Sequence, residues 1–144
     1  MTDEEKIVDT IGKVPLFSSL KRRQLQSLAR IFIERECKVG EVMVPQGHDG
    51  YGFFVIVSGA AEVVLQRSDG STAVVNTFGP SDYFGELALL DNGPRTASVI
   101  ATEPTHCLIL PRESFLGVLR RDGEMAVSIL TELARRFRTA LESL

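Results

Sequence analysis

Phe53-Phe54-Val55-Ile56-Val57-Ser58-Gly59, then Ala61-Glu62-Val63-Val64-Leu65-Gln66, then Ser68-Asp69-Gly70-Ser71 is the stretch whose reading decides the class of fold. Aromatic and β-branched residues fill the first segment and suit a pleated, half-buried surface. Ser58-Gly59 breaks it. In the second segment Ala61, Val63 and Leu65 alternate with Glu62, Val64 and Gln66, a period of two with only partial polar contrast. Asp69-Gly70 suits the positive φ values of a tight turn, so a hairpin is expected, with Thr72 to Phe78 as the returning strand.

The same grammar runs outward from about Phe32 to Leu110. Gly79-Pro80-Ser81-Asp82 marks a turn, and Ala97 to Ala101 and Thr105 to Leu110 read as strands around Glu103-Pro104. Many short strands with closely spaced turns suggest a sandwich or barrel, and no alternating βαβ units call for a parallel sheet. Both ends of the chain carry a helical period instead. Thr2-Asp3-Glu4-Glu5 reads as a capping box before Ile7, Val8 and Ile11, and Pro15 is expected to end that helix. A second helix is expected from about Leu20 to Arg30, with Leu25, Leu28 and Ala29 inward. Beyond Pro111, residues Phe115, Leu116 and Leu119 mark a short helix, punctuated by Asp122-Gly123. The last helix repeats apolar residues at 126, 130, 133, 137, 140 and 144, a heptad spacing that fits either the domain's own core or a dimer seam. The expected fold is therefore mainly β, one domain over 1–144. An antiparallel β-roll of double-stranded β-helix or jelly-roll type spans 32–110. N-terminal helices (1–31) precede it and a C-terminal helix pair (111–144) follows.

Composition narrows the function. With 144 residues, 44% hydrophobic and 24% charged, the chain can bury a core and is not disordered. No apolar run is long enough for a transmembrane helix, and the acidic N-terminus has no secretory h-region behind it. A net charge of −3 does not favour nucleic acid or an anionic membrane. Cys37 and Cys107 form no ligand-spaced pair, which makes a reduced, cytoplasmic location the default.

The chemistry-bearing segment is Phe84-Gly85-Glu86-Leu87-Ala88-Leu89-Leu90-Asp91-Asn92-Gly93-Pro94-Arg95-Thr96-Ala97-Ser98-Val99. Gly85 permits close approach of a ligand or backbone. Leu87 to Leu90 can form one helical turn whose unpaired N–H groups make an anion site. Asn92-Gly93-Pro94 can fold the chain back so that Arg95 meets a phosphate with paired hydrogen bonds. Glu86 is an acceptor suited to a sugar hydroxyl. The bland alternative is a solvated Glu86, or a structural Glu86–Arg95 ion pair.

The segment closely resembles the phosphate-binding cassette of the cyclic-nucleotide-binding domain family, with its Phe-Gly-Glu and its Pro-Arg-(Ala/Ser/Thr)-Ala-x-Val. The resemblance extends to Val14-Pro15-Leu16-Phe17, Gly40-Glu41, Gln46-Gly47 and Phe53 to Gly59. It implies that Arg95 binds the exocyclic oxygens of a cyclic phosphate and Glu86 the ribose 2′-hydroxyl. The backbone N–H groups of Gly85, Leu87, Ala88 and Ala97 would help, with the Thr96 hydroxyl nearby. It also implies that Val63, Val75 and Phe78 pack on sugar and base, against the alternative that they are ordinary core. Ala134-Arg135-Arg136-Phe137 resembles the long helix of catabolite-activator-type regulators, which nominates Arg136 at the nucleotide, or else as a solvated charge. The chain departs from those activators at Ala140 and Leu141, where a hydroxyl pair contacts adenine.

The resemblance implies an allosteric sensor of a cyclic mononucleotide, cAMP favoured and cGMP possible, whose C-terminal helix moves on binding. Partners would be that nucleotide and either a second copy through the helix or an attached effector. No cofactor, metal or catalytic residue is expected. A cupin-like enzyme needs a cluster of His and carboxylate ligands, whereas His48 and His106 stand apart. A helix-turn-helix regulator continues past the long helix, so direct DNA binding by this chain is not expected, though it could be the sensing fragment of one.

Overall fold

The structure, a computed structural model, describes residues 3–47, 51–91, 93 and 95–144. It comprises two compact units, residues 32–112 and residues up to 31 together with 113–144.

The first unit is all β. Its strands are β1 (Ile33–Cys37), β2 (Val42–Val44), β3 (Gly52–Ser58), β4 (Ala61–Gln66), β5 (Thr72–Phe78), β6 (Tyr83–Phe84), β7 (Ser98–Ala101) and β8 (Thr105–Pro111). They form two four-stranded sheets, ordered β1-β8-β3-β6 and β2-β7-β4-β5. Every pairing is antiparallel. The chain changes sheet at each connection except the β4–β5 hairpin, which makes this the expected roll. The sets Phe54/Ile56, Val99/Ala101 and Cys107/Ile109 bury alternate side chains in one core. The unbroken apolar run of β3 has its own reason: Phe53 is buried too, its ring 6.2 Å from Phe32 and 5.7 Å from Tyr83. Both cysteines are free and buried, and burial pushes the Cys107 thiol up to about 12, so it stays protonated and unreactive.

Two details differ from the sequence reading. In the hairpin only Gly70 has positive φ (87°); its N–H donates to Arg67 O at 3.0 Å, and Ser71 N–H donates to Asp69 Oδ1. Asp69 thus serves the turn through its side chain. The register also slips between Val63↔Asn76 and Val64↔Val74, leaving Val75 as an extra residue on β5. Val74 and Val75 are exposed in succession on this edge strand.

The second unit contains α1 (Asp3–Ile11), a 3-10 turn (Pro15–Phe17), α2 (Arg22–Ala29), all but the first residue of α3 (Arg112–Arg121), and α4 (Gly123–Glu142). Thr2 of the expected capping box lies outside the described residues. The first helix ends at Ile11, before Pro15, which instead starts the 3-10 turn, where its missing N–H costs nothing. Val8, Ile11, Leu16, Leu25, Leu28, Phe115 and Met125 are buried, and Phe17 meets Phe115 edge to face at 6.0 Å. On α4 the buried line is Met125 and Ile129, continued by half-buried Leu133. Leu133 also belongs to the heptad set, but Leu130 and Phe137 of that set are 64% and 67% exposed, so most of it lies off the helix's buried line. One residue of offset turns a helical side chain by about 100°.

Asp122 starts α4 by accepting the Met125 N–H at 3.0 Å. Asp122→Ala should cost about 1 kcal/mol and lower Tm by a few degrees, while Asp122→Asn keeps most of the cap. Equal melting of both variants with the parent would show that this contact does not hold the helix start.

Candidate functional site

Three stacked rings place the site. Phe84 lies 4.8 Å from Phe54 and 5.0 Å from Phe78, tilted by only 9° and 13°, so residues of both sheets grip the end of β6. Gly85 follows at φ 88° and opens a 3-10 turn over Glu86–Leu89. A Cβ at Gly85 would lie 2.7 Å from Gly52 O and 2.8 Å and 3.0 Å from the two terminal nitrogens of Arg95. Glycine is therefore required here both by conformation and by the approach of that guanidinium. Ala88 and Leu89 are buried and anchor the turn, while Leu87 is exposed. At a helix start the amides of Glu86 and Leu87 have no intrahelical acceptor. The Ala88 N–H, expected to help hold a ligand, donates to Gly85 O at 3.1 Å.

Arg95 is set by contacts remote in sequence. Its carbonyl accepts the Gly47 N–H at 2.8 Å, and the neighbouring Gln46 N–H donates to Ser98 Oγ at 2.7 Å. Gln46 in turn holds β4, its amide side chain bonding both backbone groups of Gln66. The Arg95 side chain donates from Nη2 to Gly52 O at 3.0 Å, and its Nε is buried with no partner among the described residues. Burial lowers the pKa of this guanidinium, and the charges of Asp91 and then Glu86 oppose that shift. An arginine stays cationic through such a shift. The outcome is a desolvated cation with unused donor capacity. Among the described residues no ion pair ties it to Glu86.

A cavity of about 340 Å³ is lined by Gly85, Glu86, Leu87, Ala88, Asp91, Gly93, Arg95 and Thr96. Six residues singled out in the sequence thus meet at one wall: Gly85, Glu86, Leu87, Ala88, Arg95 and Thr96. Ala97 is half-buried just beyond it and is not in the wall. Val63 and Phe78 pack against the roll core, and Val75 is exposed at the bulge; none of the three lines the cavity. Arg136 belongs to the helical unit, half-buried on α4, with Nη1 buried and unpartnered among the described residues. Sequence reasoning missed Asp91 and Gly93 as wall residues and Gly52 as the acceptor for Arg95. The first two stand inside the quoted cassette; nothing local marks Gly52.

The wall can hold an anion through the guanidinium and the turn amides, and Glu86 can accept from a hydroxyl beside it. Among the described residues no group of three or more His, Cys, Asp or Glu could hold a metal, and no helix is long and apolar enough to cross a membrane.

This fold and cassette define a class. Residues 34–122 match the model of the cyclic nucleotide-binding domain, and the chain belongs to that family. It is 33% identical over 126 residues to the cyclic AMP receptor protein of Thermus thermophilus, covering 88% of this chain and 58% of that one. It is 36% identical over 115 residues to the cAMP-dependent protein kinase regulatory subunit of Yarrowia lipolytica, covering 80% of this chain and 29% of the other. The chain therefore spans well under two thirds of either relative. The N-terminal domain of a transcriptional regulator from Streptomyces coelicolor A3(2) superposes with a TM-score of 0.85 at 29% identity, over 94% of this chain and 97% of that one.

Proposed function

We propose that the chain is a single sensor domain that binds a cyclic mononucleotide, cAMP in preference to cGMP, and does no chemistry on it. The observation that carries this reading is the half-buried Arg95 guanidinium, with donors to spare, in one cavity wall with Glu86 and the first amides of the 3-10 turn. Arg95 would take the exocyclic phosphate oxygens and Glu86 the ribose 2′-hydroxyl. The amides of Gly85, Leu87 and Ala97 and the Thr96 hydroxyl would support them, with Val63, Val75 and Phe78 towards sugar and base. The choice of cAMP follows the relatives, one named a cyclic AMP receptor and one a cAMP-dependent kinase subunit.

The output we assign to α4. Arg136 would close on the bound nucleotide, and the helix position that permits this would be the one the ligand selects, since only differential affinity shifts a population. The exposed face with Leu130 and Phe137 would pair with a second copy or an attached effector. The match to an N-terminal regulator domain favours a second reading, the sensing fragment of a helix-turn-helix regulator. A cytoplasmic location fits either.

Calorimetry should give saturable binding of cAMP, weaker binding of cGMP, and intact nucleotide on chromatography afterwards. Accumulation of 5′-nucleotide, or a clear cGMP preference, defeats the corresponding part of the reading. Hydrogen exchange with and without cAMP should raise protection in both 84–99 and 125–144. Protection confined to the cassette would remove α4 as the output.

A further inference from the structure

We infer that Asp91 sets the charge selectivity of the cavity, admitting a phosphodiester of charge −1 and rejecting a phosphomonoester of charge −2. The inference rests on the proposed cyclic-nucleotide reading and deepens it.

Asp91 lines the same cavity as Arg95 and Glu86. Its side chain is exposed and makes no ion pair among the described residues, and its one described side-chain bond accepts the Gly93 N–H at 3.4 Å. An asparagine would make that bond equally well, so the turn does not demand the charge. Its charge does reach the guanidinium: Asp91 outweighs Glu86 among the groups that favour the charged form of Arg95.

The wall therefore sets two carboxylates against one guanidinium, a formal charge of −1 among the described residues. Glu86 has a use, as a hydroxyl acceptor. Asp91 adds only negative potential beside an anion site, which weakens every anion but in proportion to its charge. A cyclic phosphate diester carries a single negative charge at neutral pH, because it has no second proton to lose. A 5′-phosphomonoester loses its second proton near pH 6 and is close to dianionic at pH 7. The same base and sugar thus arrive with one charge or two, and the carboxylate acts as a repulsive element against the wrong ligand. One unit of charge in a partly solvated wall changes affinity by roughly three- to tenfold per ligand charge. That penalty enters once for the diester and twice for the monoester, so the ratio of the two affinities shifts by the same factor.

The test measures cAMP and 5′-AMP by competition against a fluorescent cAMP analogue at pH 7.5, in the parent, Asp91→Asn and Asp91→Glu proteins. In the Asn variant cAMP should bind about three- to tenfold more tightly and 5′-AMP gain by about the square of that factor, so that the preference for cAMP over 5′-AMP falls about three- to tenfold. The Glu variant should keep the parental preference. Raised salt should shrink the difference between parent and Asn variant. A preference unchanged in Asp91→Asn, in protein that binds cAMP, overturns the inference. So does an equal loss of preference in Asp91→Glu, which would trace the effect to shape instead of charge. Failure of the parent to bind cAMP at all is a different result, and overturns the cyclic-nucleotide reading itself.

Discussion

Replacing Arg95 by alanine is expected to weaken cAMP binding by about tenfold to more than a hundredfold, since hydrogen bonds to a charged group contribute roughly 1.5–3 kcal/mol. The fold should survive. Among the described residues the side chain makes one hydrogen bond, to Gly52 O, and the segment is held by the Arg95 carbonyl and by Gln46 and Ser98, which the substitution leaves in place. Removing a half-buried guanidinium whose Nε has no partner among the described residues also relieves a desolvation cost. Arg95→Lys should be impaired as well, because an ammonium restores the charge and not the planar paired donors. Calorimetry on variants of parental melting temperature decides the matter. Undiminished affinity in Arg95→Ala would take this residue out of the site.

Gly85→Ala should damage both stability and binding. The left-handed conformation at 88° costs an L-residue about 1–2 kcal/mol. The added Cβ also falls 2.7 Å from a backbone carbonyl, that of Gly52, which cannot step aside as a side chain can. It would press on the Arg95 guanidinium at 2.8 Å and 3.0 Å, so the cation must leave the position it holds on the wall. A clear drop in Tm is expected, and at low temperature, where the variant is still folded, cAMP affinity at least tenfold below the parent. Gly93→Ala is the matched control: the nearest described atoms to a Cβ there are those of the Asp91 carboxylate, at 3.7 Å and beyond, so folding should be little changed. Parental melting and affinity for Gly85→Ala would mean that the cavity wall tolerates a shift of Arg95 and that its geometry is not decisive.

The contrast between these glycines shows how unevenly the site was legible. The cassette from Phe84 to Val99 could be read because it is contiguous: a glycine, a short turn, a chain reversal and an arginine stand in order, and turn chemistry acts over a few residues. The strands could be read for a similar reason. Val63 and Phe78 could not be assigned, because an apolar residue facing a roll interior has the same signature whether it touches core or ligand. Val75 was harder still. A one-residue slip between β4 and β5 changes which way every later side chain points, and no local pattern announces it. On α4 the heptad spacing was real, yet the buried line runs through Met125 and Ile129 and meets the heptad set only at Leu133.

By itself, then, the sequence determined the elements and their order: helices at both ends, short antiparallel strands between, and a cassette able to hold an anion. Those features follow from side-chain periodicity, turn residues and contiguous spacing, all properties of a few neighbours along the chain. Tertiary structure alone decided that the carbonyl of Gly52 steadies Arg95 across 43 residues of sequence, that Gln46 ties the cassette to β4, and that Asp91 shares its wall. It also decided which face of α4 is left uncovered. Each of these depends on where distant strands come to lie, and that is settled by the packing of the whole core around Phe54, Phe78 and Phe84 rather than by any segment's own preference.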